Sequence, residues 1–243
     1  NPLIKPDKIK NKQEAIKELA SKDEWCYKFL AFGRSSNDKS ETQETINKWL
    51  NEKDLCSTPF LRVIGILLPL ITIALGVGFL LGLFGKSYFI YAFLIQLGIS
   101  GKFAGKITKV QSRLGSRFAI IENYIKIVRS IENEDFQSNY LLTLKRIFVD
   151  KDKNFSVTQT LNCLKKLLDK LDARLNIYLA ILLNGLLLWD INTTAQIENW
   201  KRKNKENLIK WMNAVGEIDA LVSLALFAAN HRNYAYPQVT LEK

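Results

Sequence analysis

The sequence predicts an all-α protein, a long-helix bundle with an inserted hydrophobic helical hairpin. Three observations carry that prediction. No stretch alternates apolar and polar residues for long enough to suggest a sheet. Five prolines and twelve glycines are few for 243 residues, so helices should run long. Apolar residues make up 47% of the chain, enough for a sizeable core.

Taken in order, Ile9, Ala15, Ile16 and Leu19 fit a first helix. Ser21-Lys22-Asp23-Glu24 has the capping-box pattern and should start a second near Lys22. Asn37 to Thr42 reads as loop, and Ile46, Trp49 and Leu50 mark a short helix. Ser57-Thr58-Pro59 places a cap residue before a proline at the first turn, a helix start. No charge follows for 23 residues, Val63 to Gly85, long enough for a bilayer's hydrocarbon core. After a break at Gly82 to Lys86 comes a second uncharged run of 15 residues, Ser87 to Gly101. Residues 59–103 therefore read as a hydrophobic hairpin, either inserted in a membrane or buried in protein.

Beyond it, Leu114, Phe118, Ile121, Ile125, Val128 and Ile131 keep an amphipathic spacing. Asp150 to Asn154 is a charged loop, and Ser156-Val157-Thr158-Gln159 is another capping box. Leu161, Leu164, Leu168, Leu171, Leu175, Tyr178 and Leu182 step by three and four like a coiled-coil seam. Ile177 to Trp189 is apolar all round, so that end of the seam should be buried. A last helix carries Trp211, Val215, Ile218, Val222 and Ala225 on one face and ends at Tyr234-Ala235-Tyr236-Pro237.

The net charge of +11 points to a polyanionic partner, nucleic acid or an anionic membrane. No acid lies between Asp54 and Glu122. Within that stretch Lys102, Lys106, Lys109, Arg113 and Arg117 would form one positive stripe on a helix. Because the stripe abuts the apolar hairpin, lipid headgroups suit it better than phosphodiesters. Lys201, Arg202, Lys203 and Lys205 make a second basic run, a solvated helix surface or a set of DNA-backbone contacts.

Catalytic chemistry is not expected. Gly85-Lys86-Ser87 lacks the upstream glycine of a phosphate loop, since Leu80 stands there. His231 is the only histidine and has no nucleophile or carboxylate constellation. Glu217 and Asp219, two apart on a helix, do not share a face, so acid–base pairing gives way to a structural contact, expected at Asp219. Cys26, Cys56 and Cys163 lack metal-ligand spacing and read as reduced thiols in a cytoplasmic setting.

The two ends of the chain resemble the MutS family of DNA mismatch repair proteins. Asn1-Pro2-Leu3, Ile9, Asn11-Lys12-Gln13-Glu14-Ala15-Ile16 and Leu19 resemble the opening of that family's core domain, with Lys12 where arginine is commoner. Trp211 to Ala225 resembles its last core helix, and Asn230 to Val239 the lead-in to its ATPase domain. The resemblance implies a MutS-like core/lever segment over 1–243, with the hairpin 59–103 inserted in it. It implies coupling of nucleotide-driven changes to DNA or membrane contact. ATP and Mg would belong to an ATPase domain beyond Lys243; no catalytic residue, metal or cofactor is expected here. Expected partners are duplex DNA, bound weakly and without sequence preference, an anionic membrane with both chain ends cytoplasmic, and a second copy in a full-length homodimer. The alternative is a membrane-anchored helical adaptor binding a protein partner through the Leu161–Leu182 seam. With the hairpin buried in protein instead, the chain would be soluble and cytoplasmic.

Overall fold

The computed structural model describes residues 6–34, 46–56, 58–115, 118–150 and 155–237, with side chains for all of these except Pro6, Arg34 and 109–120. The described chain is almost wholly helical. Its helices are α1 (Pro6–Ala20), α2 (Asp23–Arg34), α3 (46–51), α4 (Pro59–Leu80), α5 (Lys86–Gly115), α6 (Phe118–Asn133), α7 (Asn139–Lys145), α8 (Val157–Asp172), α9 (Ile177–Leu187) and α10 (Trp189–Asn230). The one departure among these residues is a minimal antiparallel pair, β1 (Val149–Asp150) with β2 (Phe155–Ser156). It closes part of the expected charged loop; 151–154, like the loop expected over 37–42, lie outside the described residues.

The chain divides into two compact units. Unit 1 comprises 1–39, 119–162 and 206–243, and unit 2 comprises 40–118 and 163–205. The hairpin expected over 59–103 is thus part of a larger apolar unit. Both α8 and α10 contribute to each unit.

Unit 1 has a conventional core. Leu19, Phe29, Ile131, Leu141, Phe148, Ile218 and Val222 are buried there. On α10, Trp211, Ile218, Val222 and Ala225 form the expected inward face. Polar contacts tie its helices. Lys12 Nζ lies 2.6 Å from Glu217 Oε1, and the Tyr140 hydroxyl donates to the same oxygen at 2.8 Å. The Lys12 contact, with help from Tyr140, holds the Glu217 carboxyl below its ordinary range. Glu217 therefore makes a structural contact rather than half of an acid–base pair.

The capping boxes form differently from their sequence patterns. Ser21 donates its hydroxyl back to the Glu18 carbonyl at 2.7 Å, so it closes α1 instead of opening α2. Ser156 does cap α8, accepting from the Gln159 amide at 3.2 Å. Glu132 of α6, rather than Gln159, completes that cap by accepting from the Thr158 amide at 3.0 Å. Tertiary carboxylates satisfy helix ends as well as local ones do.

The Leu161–Leu182 seam is interrupted. Leu161, Leu164, Leu168 and Leu171 are buried along α8, but α8 stops at Asp172 and a 3-10 turn follows at Ala173–Leu175. Asn176 then caps a new helix, its Oδ1 accepting from the amides of Tyr178 and Leu179 at 3.1 and 3.2 Å. Leu175 and Tyr178 are 76% and 83% exposed, so they cannot continue a buried seam. A competent side-chain cap at Asn176 makes the break as favourable as continuation.

Candidate membrane-anchoring site

In unit 2, α4 and α5 form the expected helical hairpin, joined by a turn in which Gly82 adopts φ +73°. Thr58 and Pro59 open α4 as anticipated, with Pro59 at the first helical position. The helix has 22 residues, about 33 Å at 1.5 Å per residue, which matches a hydrocarbon core of about 30 Å.

The distribution of side chains on α4 is the reverse of a water-soluble helix. The residues it buries are Gly65, Pro69, Thr72 and Gly78. Those it exposes include Ile66, Leu70, Ile71, Val77 and Leu80. In water the driving force puts large apolar groups inside. Small and polar residues between helices, with branched apolar ones outside, are what helices packing in lipid show. On the inner face the Gln96 amide of α5 donates to the Thr72 hydroxyl, and to the Leu68 carbonyl at 3.2 Å. Small residues admit close approach: a Cβ on Gly76 would come within 3.2 Å of the Phe89 ring, and one on Gly78 would collide with Phe84.

A third apolar helix belongs to this unit. Helix α9 packs against both α4 and α5. A Cβ on Gly185 would strike the Phe93 ring of α5. The expectation that Ile177 to Trp189 would be buried fails over its first half. Ile177, Tyr178, Leu179, Ile181 and Leu182 are exposed, and the buried residues of the stretch are Asn184, Gly185 and Leu188. Sequence reasoning took these residues as the far end of the seam, because all-round apolarity does not show which face is covered.

The long α10 also holds a window apolar enough to cross a membrane. Its C-terminal half, however, buries Ile218, Leu221, Val222 and Ala225 and places Glu217 in the contacts with Lys12 and Tyr140. That half is a core helix.

The positive stripe lies on α5 for Lys102, Lys106, Lys109 and Arg113. Lys102 and Lys106 are exposed. Nothing is described for the side chains of Lys109 and Arg113, and Arg117 lies outside the described residues. Arg62 is exposed in the first turns of α4 and Lys86 in the turn at the other end of the hairpin. The apolar hairpin therefore has Arg62 and Lys102 at its open end. Gly85-Lys86-Ser87 joins that turn to the first residues of α5.

The second basic run, read as a solvated helix surface or as possible DNA-backbone contacts, is partly taken up by structural contacts. Lys201 is buried, with its Nζ 2.7 Å from Asp54 Oδ1 and donating to the Glu52 carbonyl at 2.9 Å. Arg202 Nε lies 3.8 Å from Asp54 Oδ2, and Lys205 donates to Asn51 Oδ1 at 2.9 Å. Lys203 is exposed. One turn earlier on α10, Glu198 accepts from the Leu55 amide and, at 3.0 Å, from the Cys56 amide. Burial raises the Glu198 carboxyl, and these amides oppose the rise. The run and Glu198 together clamp the segment that leads into α4.

His231 ends α10, stacked on Phe227 at 4.3 Å between ring centroids, as a helix-end residue. Among the described residues no group of three or more His, Cys, Asp or Glu could hold a metal. Burial pushes the Cys26 and Cys56 thiols up to about 11 and about 12, helped by nearby carboxylates, so neither is an activated nucleophile. Comparison of the chain with family models, with curated proteins and with solved structures finds no match.

Proposed function

We propose that this chain is a membrane-anchored coupling segment of a MutS-like ATPase. The hairpin of α4 and α5 sits in the bilayer, and unit 1 is the cytoplasmic core that would transmit nucleotide-driven changes from a separate ATPase domain. The observation that carries the anchoring is the reversed polarity of α4, with Gly65, Pro69, Thr72 and Gly78 inside and its large apolar side chains outside. The basic residues agree with it: Arg62, Lys102 and Lys106 at the open end favour the cytoplasmic side for that end.

The coupling half of the proposal rests on the resemblance of the chain ends. It gains support from their meeting in unit 1, where Gln13 donates to the Pro237 carbonyl at 2.8 Å and Lys17 lies over the Tyr236 ring at 4.8 Å. Asn1-Pro2-Leu3 and Val239, also part of the resemblance, lie outside the described residues. The adaptor reading loses its basis with the interruption of the seam.

Extraction of membranes from cells expressing the chain tests the anchor. The protein should remain in the pellet through high salt and alkaline carbonate, and leave only with detergent. A monodisperse soluble species without detergent overturns the anchor. The coupling half predicts salt-dependent, sequence-independent binding of duplex DNA by the detergent-solubilised chain. Tight, salt-insensitive binding, or none in low salt, overturns that half.

A further inference from the structure

We infer that α9 is a third membrane element, a re-entrant half-helix that enters the bilayer from the same side as the open end of the hairpin. The inference rests on the anchored reading of α4 and α5 and adds to it the ligand of a face left exposed among the described residues of unit 2. That ligand is the acyl chains of the leaflet beside the basic residues.

Length comes first. Eleven residues make about 16 Å of helix, half of a hydrocarbon core of about 30 Å. The polarity of α9 repeats that of α4, with Asn184 and Gly185 turned inward and Ile181 and Leu182 outward. Its exposed face continues the apolar surface of the two helices it packs on.

Contacts along the hairpin set its depth. Before α9, Arg174 donates to the Thr108 hydroxyl at 3.2 Å, and Thr108 lies beyond Lys102 and Lys106, outside the apolar part of α5. Near its end, Gly185 meets Phe93, nine residues inside Lys102 and so about 13 Å into the apolar part. The chain then returns: Asn192 donates to the Gly65 carbonyl at 2.8 Å, only three residues inside Arg62. Both ends of the excursion thus lie near the charged end of the hairpin.

The bend that follows α9 pairs backbone groups within the protein, as a medium without water requires. A single left-handed residue, Leu188 at φ 47°, separates α9 from α10. Backbone groups exposed by such a bend must find partners inside the protein if lipid surrounds it. They do. The Leu188 amide donates to the Asn184 carbonyl at 3.2 Å, and the Asp190 amide to Asn184 Oδ1 at 3.0 Å. The Leu187 carbonyl accepts from Asn192 at 2.8 Å. Asp190 Oδ2 lies 3.3 Å from Arg174 Nε, while Asp190 Oδ1 and Arg174 Nη1 are buried without a hydrogen-bond partner.

Depth-resolved quenching tests the inference on the full chain. In a Cys163→Ser background, Leu182→Cys, Ile71→Cys and Lys166→Cys are each labelled with an environment-sensitive fluorophore and reconstituted in vesicles containing anionic phospholipid. All three positions are exposed, so the substitutions leave packing intact. Brominated acyl chains should quench positions 182 and 71, with iodide quenching at least tenfold weaker there than at 166. Iodide quenching at 182 as strong as at 166, with 71 quenched by lipid, overturns the inference and leaves the hairpin anchored. Iodide quenching at both 182 and 71 overturns the anchored reading as well.

Discussion

At the scale of single residues, the side chains that matter most in unit 2 carry charge or hydrogen bonds rather than bulk. Lys201 illustrates how position decides the work of a charge. In sequence it belongs to a basic run, yet Asp54 and the Glu52 carbonyl take its ammonium out of solvent. Removing one partner of a buried pair costs about 3–5 kcal/mol, because the other charge is left desolvated. Lys201→Met should therefore lower the unfolding free energy in detergent by about 3 kcal/mol, and Asp54→Asn on top of it should restore most of that loss. Equal loss in the single and double variants would show that the pair is not coupled. The thiols give a second prediction. Cys163 is exposed, whereas Cys26 and Cys56 are buried and raised to about 11 and about 12. Maleimide at neutral pH should modify one thiol rapidly, and the other two only after denaturation; mass spectrometry of the modified peptides checks the assignment.

At the scale of elements, helix α4 shows why apolar content alone does not tell core from lipid contact. Both readings need an uncharged run. The choice depends on which residues face the neighbouring helix, and on α4 those are the small and polar ones. The Thr72–Gln96 hydrogen bond is the polar link between α4 and α5, and both residues are fully buried. Interhelical hydrogen bonds of this kind contribute about 0.6 kcal/mol on average and up to about 2 kcal/mol. Thr72→Val should destabilise the hairpin by about 1 kcal/mol in an unfolding titration, since it removes one of the two acceptors of the Gln96 amide. With Gln96→Leu already present, Thr72→Val should cost little. A full cost in both backgrounds would mean that the two side chains do not act together. Helix α9 follows the same rule as α4, and Asn176 explains its separation from α8. An asparagine within a leucine repeat is an ordinary polar position until its oxygen caps two amides.

At the scale of the whole molecule, the proposed anchoring would fix topology as well as location. Arg62, Lys102 and Lys106 at one end of the hairpin outweigh Lys86 at the other, so the turn at residues 81–85 should lie on the far side of the membrane. An alkaline phosphatase reporter inserted in that turn should be active in a bacterial host. Lys102→Gln and Lys106→Gln combined with Leu81→Lys and Leu83→Lys should lower its activity at least fivefold at equal expression; unchanged activity would mean that these charges do not orient the hairpin. Much of this architecture was legible in the chain itself. The helical class, the start of α4 at Thr58-Pro59, the hairpin and the inward face of α10 all follow from local chemistry, because proline, glycine, charge and apolar period act within a few residues. The sequence by itself also determined that Lys102 and Lys106 adjoin an apolar hairpin. Only the tertiary structure decided which side of α4 faces protein, that Lys201 and Arg202 turn to Asp54, and that the leucine seam breaks at Asp172 so that α9 can join the hairpin. Those outcomes depend on partners more than a hundred residues away, such as Asp54 for Lys201 and Gly65 for Asn192, and no local pattern encodes a partner that the fold has yet to bring near.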